Sequence, residues 1–175
     1  MGVQAEVTQQ LEHPVAKAQI VDRMPNWMDI IPYFLPCVFV VINPMLYYSG
    51  VDNFLIPMWI GYAVLPFLDL LFTNDDTNVS KKYEKAFEND HRFLIPMYAL
   101  FLCDILMYVW TIYLFISGEV TSWRTTISIT LTAAHSNGLT GLMGHELFHK
   151  RSPLHKTVGT FTLCKFFYGH FVLEH

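Results

Sequence analysis

Long stretches without a single charge constrain this chain more than any other feature. Residues 30–50 run for twenty-one positions with no Asp, Glu, Lys or Arg. A helix rising about 1.5 Å per residue needs roughly twenty such positions to cross a hydrocarbon layer of about 30 Å. Residues 54–72 form a second run, broken only by Asp69, and residues 93–117 a third, with Asp104 inside it. The fourth, residues 125–144, is free of charge but rich in Thr, Ser, Gly and Ala. Small residues of that kind let helix backbones approach closely, so this run reads as the inner wall of a bundle. The expected fold is therefore all-α, a multi-pass transmembrane helical bundle of four spans behind a polar tail at residues 1–29. The tail lacks the apolar stretch and small-residue cleavage site of a secretory signal peptide.

Composition closes off the other classes. Of 175 residues, 53% are hydrophobic and 15% charged, and fourteen Phe, nine Tyr and four Trp carry too much apolar surface for a solvated, disordered chain. A formal charge of −4 argues against a nucleic-acid partner, which needs clustered positive charge. A soluble helical protein would use shorter, amphipathic helices. Cys37, Cys103 and Cys164 are too far apart for a metal knuckle or a disulfide framework and read as packing residues. With the N-terminus inside, the inner loops hold Lys17 and Arg23, Lys81, Lys82, Lys85 and Arg92, then Lys150, Arg151, Lys156 and Lys165, against Arg124 alone outside. That asymmetry predicts a cytoplasmic N-terminus and puts everything after Gly144 at the cytoplasmic face.

Six of the eight histidines, His135, His145, His149, His155, His170 and His175, fall in the last forty-one residues. His145 and His149 are four apart on what should be helix, which places their side chains about 40° apart on one face, within reach of one metal ion. Imidazole suits iron and zinc alike. Read literally, His145-Glu146-Leu147-Phe148-His149 is also the zinc-protease pattern, with Glu146 as general base. The stretch from Tyr168 to His175 adds two further imidazoles and Glu174. That is more ligands than one tetrahedral zinc uses, and it favours two metals. His135, ten residues before His145, reads as an interhelical hydrogen-bonding residue, and Asp104 as a bundle-facing carboxylate with His135 or Asn137 as its partner.

At this point the sequence resembles the membrane-bound di-iron alkane hydroxylases (alkane 1-monooxygenases), relatives of the integral-membrane fatty acid desaturases and hydroxylases. His-Glu-Leu-Phe-His-Lys at 145–150 is similar to that family's first histidine box, and Tyr-Gly-His-Phe-Val-Leu-Glu-His at 168–175 to the run into its second. Leu65-Pro66-Phe67-Leu68-Asp69 and Asn74-Asp75-Asp76 resemble the end of the family's second helix and the turn after it, with Thr73 and Asn74 departing from the pattern. The resemblance covers roughly Trp59 to the end.

The resemblance implies iron ligation by His145, His149 and His175. It implies a role for His170 in orienting a ligand by hydrogen bond, and for Glu146 and Glu174 as catalytic-site carboxylates beside the ligands rather than on the metal. It further implies two non-haem irons, O₂ as co-substrate, and hydroxylation of a terminal methyl of an alkane. Electrons would come from a rubredoxin-like donor with its reductase, and a hydrophobic substrate would be drawn from the membrane lipid. Trp59 and Tyr62 are candidates for setting the depth of a substrate channel, packing or lipid contact being the plainer role. Family members continue through the rest of the second box, two more spans and a third box, so the chain is expected to be an N-terminal fragment of a six-span protein, incomplete for activity. The competing expectations are a lipid desaturase or hydroxylase of the same superfamily, an intramembrane zinc metalloprotease, and a degenerate protein that binds no functional metal.

Overall fold

The first long helix starts at a capping box. In the computed structural model, which describes residues 20–51, 55–72, 77–165 and 167–170, the Asn26 side chain accepts from the Met28 N–H at 2.8 Å and the Asp29 N–H at 3.3 Å. The Asp29 carboxylate accepts the Asn26 N–H in return at 2.8 Å. Two otherwise unsatisfied donors are thereby closed. Helix α1 (Trp27–Ile30) passes through a 3₁₀ turn at Ile31–Phe34 into α2 (Leu35–Tyr48). Pro32 and Pro36 sit in first turns, where a missing N–H costs nothing. The apolar helix thus begins at Trp27, inside the stretch expected as tail.

Beyond it, α3 (Ile56–Trp59) leads through a π-helical turn at Ile60–Val64 into α4 (Leu65–Leu71). Helix α5 (Glu84–Glu88) is short; α6 (Leu94–Ile116), α7 (Trp123–Phe148) and α8 (Pro153–Lys165) carry the rest. The chain divides into two compact units, one from residues 1–25 and 69–90, the other from residues 26–68 and 91–175. Within the first unit, β1 (Ile20–Val21) pairs in parallel with β2 (Asn78–Val79), in the register Ile20 to Asn78 and Val21 to Val79. The Ser80 N–H extends the pairing to the Val21 carbonyl. This small pairing is the one departure from an all-helical class among the described residues. Two of its strand residues come from the expected tail.

The second unit is the helical bundle. Its core joins Cys37 and Val40 of α2, Leu100 and Met107 of α6, and Met143 and Leu147 of α7. A smaller cluster of Leu114 and Ile129 packs the far ends of α6 and α7. Among the described residues, two helices are long and apolar enough to cross a membrane, Trp27–Tyr48 with 22 residues and His91–Ile116 with 26. Only 22% of the most apolar stretch of each is buried. A core helix of a soluble protein would be mostly covered, whereas Val38, Val41, Leu102, Leu106 and Val109 here point their side chains outward.

The other two expected spans differ from those. Residues 54–72 yield only the shorter apolar helix Ile60–Leu71 behind α3. Helix α7 has 26 residues, long enough to cross, but is less apolar than the first two. Its buried hydroxyls are satisfied within the helix: Thr132 donates to the Ser128 carbonyl at 2.7 Å, Ser136 to Thr132 at 3.1 Å and Thr140 to Ser136 at 3.3 Å. Each turn of this stripe removes its own polar cost, so a Ser/Thr-rich helix packs inside the bundle.

Helix α8 continues that stripe. A Cβ on Gly159 would lie 2.6 Å from the Gly144 carbonyl oxygen and 2.7 Å from the Phe148 nitrogen, so the two backbones touch where neither residue has a side chain. Along α6, the Tyr98 hydroxyl bonds His155 Nδ1, the Phe101 and Phe161 rings meet edge to face at 6.1 Å, and Asp104 pairs with Lys165. Asp104 is buried in the bundle, 3% exposed, as expected, but its partner is Lys165 of α8 rather than His135 or Asn137 of α7. His135 instead meets the Tyr62 hydroxyl at 3.2 Å.

Candidate functional site

The last turn of α7 supplies the histidine pair. Leu147, fully buried, anchors that turn in the core, which leaves His145 half-buried on the adjoining face and His149 exposed one turn on. Helical spacing brings the rings together: their centroids are 4.7 Å apart and the two Nε2 atoms 3.1 Å apart. Two imidazole nitrogens bound to one ion at about 2.0–2.1 Å lie roughly 2.9 Å apart at a right angle and about 3.4 Å at a tetrahedral one. The observed separation falls between these values. The same separation is that of a hydrogen bond between the two rings.

A groove of about 690 Å³ ends at His145. Ala134, Asn137, Gly138, Gly141 and Leu142 form its α7 wall, His145 and Glu146 its end, and Leu163 and Tyr168 its opposite side. These α7 positions recur every three or four residues, so they share one helix face. The small residues Ala134, Gly138 and Gly141 hollow that face over about 10 Å, seven residues of helical rise. The Asn137 Oδ1 is buried with no hydrogen-bond partner among the described residues. Glu146 is exposed and also edges a second groove of about 460 Å³, lined by Tyr33, Pro96, Met97 and Leu139 among others.

Of the residues singled out from the sequence, His145 and His149 come together and Glu146 stands beside them. Tyr168 carries the start of the second box to the same groove. His170 is exposed and packs its ring against Tyr168 at 4.7 Å. His175 and Glu174 lie outside the described residues, as do residues 73–76. Among the described residues no third His, Cys, Asp or Glu joins the pair in a group able to hold a metal. Trp59 and Tyr62 are 63% and 68% exposed and are not among the residues lining the groove. Tyr62 and Gly61 instead flank His135, whose Cε1 would stand 3.4 Å from a Cβ on Gly61. The groove wall itself escaped the sequence reading. Its signal was present as the small residues Ala134, Gly138 and Gly141 on the His145 face, at a spacing first read as helix packing.

No family model matches the chain. Across 91% of its length it is 25% identical to an alkane 1-monooxygenase of Pseudomonas putida. Across 66% of its length it is 25% identical to an alkane 1-monooxygenase of Ectopseudomonas oleovorans. The chain is similar to alkane 1-monooxygenases. It spans 41% and 29% of the length of these two relatives. The similarity agrees with the family that the sequence motifs resemble.

Proposed function

We propose that the chain forms part of a membrane-bound non-haem di-iron monooxygenase that hydroxylates a terminal methyl group of an alkane. Its N-terminus and histidine boxes would face the cytoplasm, and electrons would come from a rubredoxin-type donor with its reductase. The observation that carries this reading is the His145–His149 pair, Nε2 to Nε2 at 3.1 Å, with His145 at the end of an apolar groove. In this reading His145, His149 and His175 hold iron through neutral imidazole nitrogens. When bound, iron supplies the O₂ activation that an unreactive C–H bond requires, in the overall change RCH₃ + O₂ + 2e⁻ + 2H⁺ → RCH₂OH + H₂O.

The chain's own residues do the positioning. An alkane offers no polar handle, so the α7 wall from Ala134 to Leu142 must select by width and length and direct the chain end toward His145. Leu163 and Tyr168 close the opposite side and keep water from the methyl group. The Glu146 carboxylate, at the groove end and open to solvent, is placed to accept and return a proton or to hold a ligand ring by hydrogen bond. In this reading Glu174 is the corresponding carboxylate of the second box, and His170 orients a ligand by hydrogen bond.

A second reading shares the pair. An intramembrane zinc protease would use Glu146 as general base between the same histidines. One experiment separates the two: membranes containing the complete protein are supplied with labelled alkanes and a reduced rubredoxin-type donor, and 1-alkanols are assayed. Product in wild type, lost in His145→Ala, supports the proposal. Absence of product together with one zinc per chain, retained in Glu146→Gln, contradicts it and favours the protease.

A further inference from the structure

We propose that the buried Asp104–Lys165 pair is a register lock that sets the depth of α8 along α6 and thereby positions residues 167–170 at the groove beside His145. The inference rests on the iron-site reading for its consequence, though not for its geometry.

Both charges are almost wholly removed from solvent, with the Lys165 side chain 6% and the Asp104 side chain 4% exposed. The Lys165 ammonium also stands 5.9 Å from the centre of the Tyr108 ring. A buried ion pair contributes little net stability relative to apolar residues of the same size, and the role best attested for such groups is to fix one arrangement among several. Here the alternatives are concrete. Helix α6 carries no acidic residue other than Asp104. A slip of α8 by one helical turn, about 5.4 Å, would therefore leave two charges buried and unpaired. Along α6 the remaining contacts, Phe101 with Phe161 and Tyr98 with His155, are of kinds that side-chain rotation can remake elsewhere. Against α7 the Gly159 contact opposes the same slip, because a residue one turn away would bring a Cβ to that place; the ion pair sets the register against α6.

Lys165 is the last residue of α8, so what holds it also fixes where the chain turns back. Directly after it the helix closes: the Phe167 N–H bonds the Cys164 carbonyl and the Tyr168 N–H the Leu163 carbonyl, both at 3.0 Å, with Phe167 in the left-handed region at φ 66°. Tyr168 then enters the groove wall beside His145 and Glu146, and His170 packs on Tyr168. Axial movement of α8 would carry this whole segment past the histidine pair. Asp104 and Lys165 are accordingly positioning residues that act through the backbone of residues 167–170.

The test uses the complete protein in membranes, in a background carrying Phe101→Cys and Phe161→Cys with the native cysteines replaced. A short thiol-bridging reagent reads the register and iron per chain reads the site. Asp104→Leu/Lys165→Leu should remain folded with an unfolding temperature no lower than the background. Its bridging rate and its iron content should each fall by about tenfold, the loss expected when groups that orient ligands are removed. The exchanged pair Asp104→Lys/Lys165→Asp should restore both. Unchanged bridging in the double leucine variant, or an exchanged pair no better than Asp104→Leu alone, would overturn the proposal. If the background protein binds no iron, the iron-site reading fails, while the bridging rates still decide the register lock.

Discussion

Replacing Gly159 by Ala probes the contact on which the shape of the site depends. The added Cβ would stand 2.6 Å from the Gly144 carbonyl oxygen and 2.7 Å from the Phe148 nitrogen, both backbone atoms that no rotamer change can move aside. Restoring ordinary contact at 3.4 Å requires α8 to withdraw from α7 by about 0.8 Å. Overpacking of this kind costs about 1–3 kcal/mol, and the better helix propensity of alanine returns about 1 kcal/mol. The net loss of up to about 2 kcal/mol should lower the unfolding temperature of the intact protein in detergent by up to a few degrees. Because α7 and α8 form the two sides of the groove, a shift approaching 1 Å should also reduce turnover at least about tenfold. Gly138→Ala is the control, since nothing lies within 4 Å of the Cβ it would add. It gains the propensity without the clash and should be neutral or up to about 1 kcal/mol more stable. A Gly159→Ala protein that unfolds at or above the Gly138→Ala temperature would refute the close backbone approach of α7 and α8.

Other expectations concern the cap, the groove and the carboxylate. Asn26→Ala removes the acceptor of two backbone N–H groups and should destabilise the start of the first helix by about 1 kcal/mol, read as faster amide exchange at Met28 and Asp29. Gly138→Leu places a side chain in the middle of the groove wall, so products from long alkanes should disappear before those from short ones, as gas chromatography of product mixtures would show. Glu146→Gln keeps the volume and removes the charge. Iron content should be retained while turnover falls by about 10²–10⁴, the range of a lost acid–base group, and loss of iron instead would make Glu146 a ligand.

What could be read in advance follows from what is local. The apolar runs at 30–50 and 93–117 became helices of membrane-crossing length because burial of a backbone in lipid depends on a long, predominantly apolar stretch. The start of the first helix was misjudged because Asp29 was read as a boundary charge, although Asn26 and Asp29 together spell a capping box that draws that charge into the first turn. The His145–His149 pairing followed from the helical period alone. The partner of Asp104 did not, because Lys165 was counted among loop cations; nothing in the sequence between them, a separation of 61, signals that α8 folds back along α6. The groove on α7 was hidden for a related reason: Ala134, Gly138 and Gly141 satisfy a helix-packing pattern and a hollow equally well. Only the position of α8 decides between them.

The most direct measurement is iron per chain in the intact, purified protein and in His145→Ala and His149→Ala. The account predicts about two irons per chain in the wild type and at least a tenfold loss of metal affinity in each variant, with folding preserved. A wild-type protein that is folded and active without iron, or a histidine variant that keeps its full complement, would contradict it.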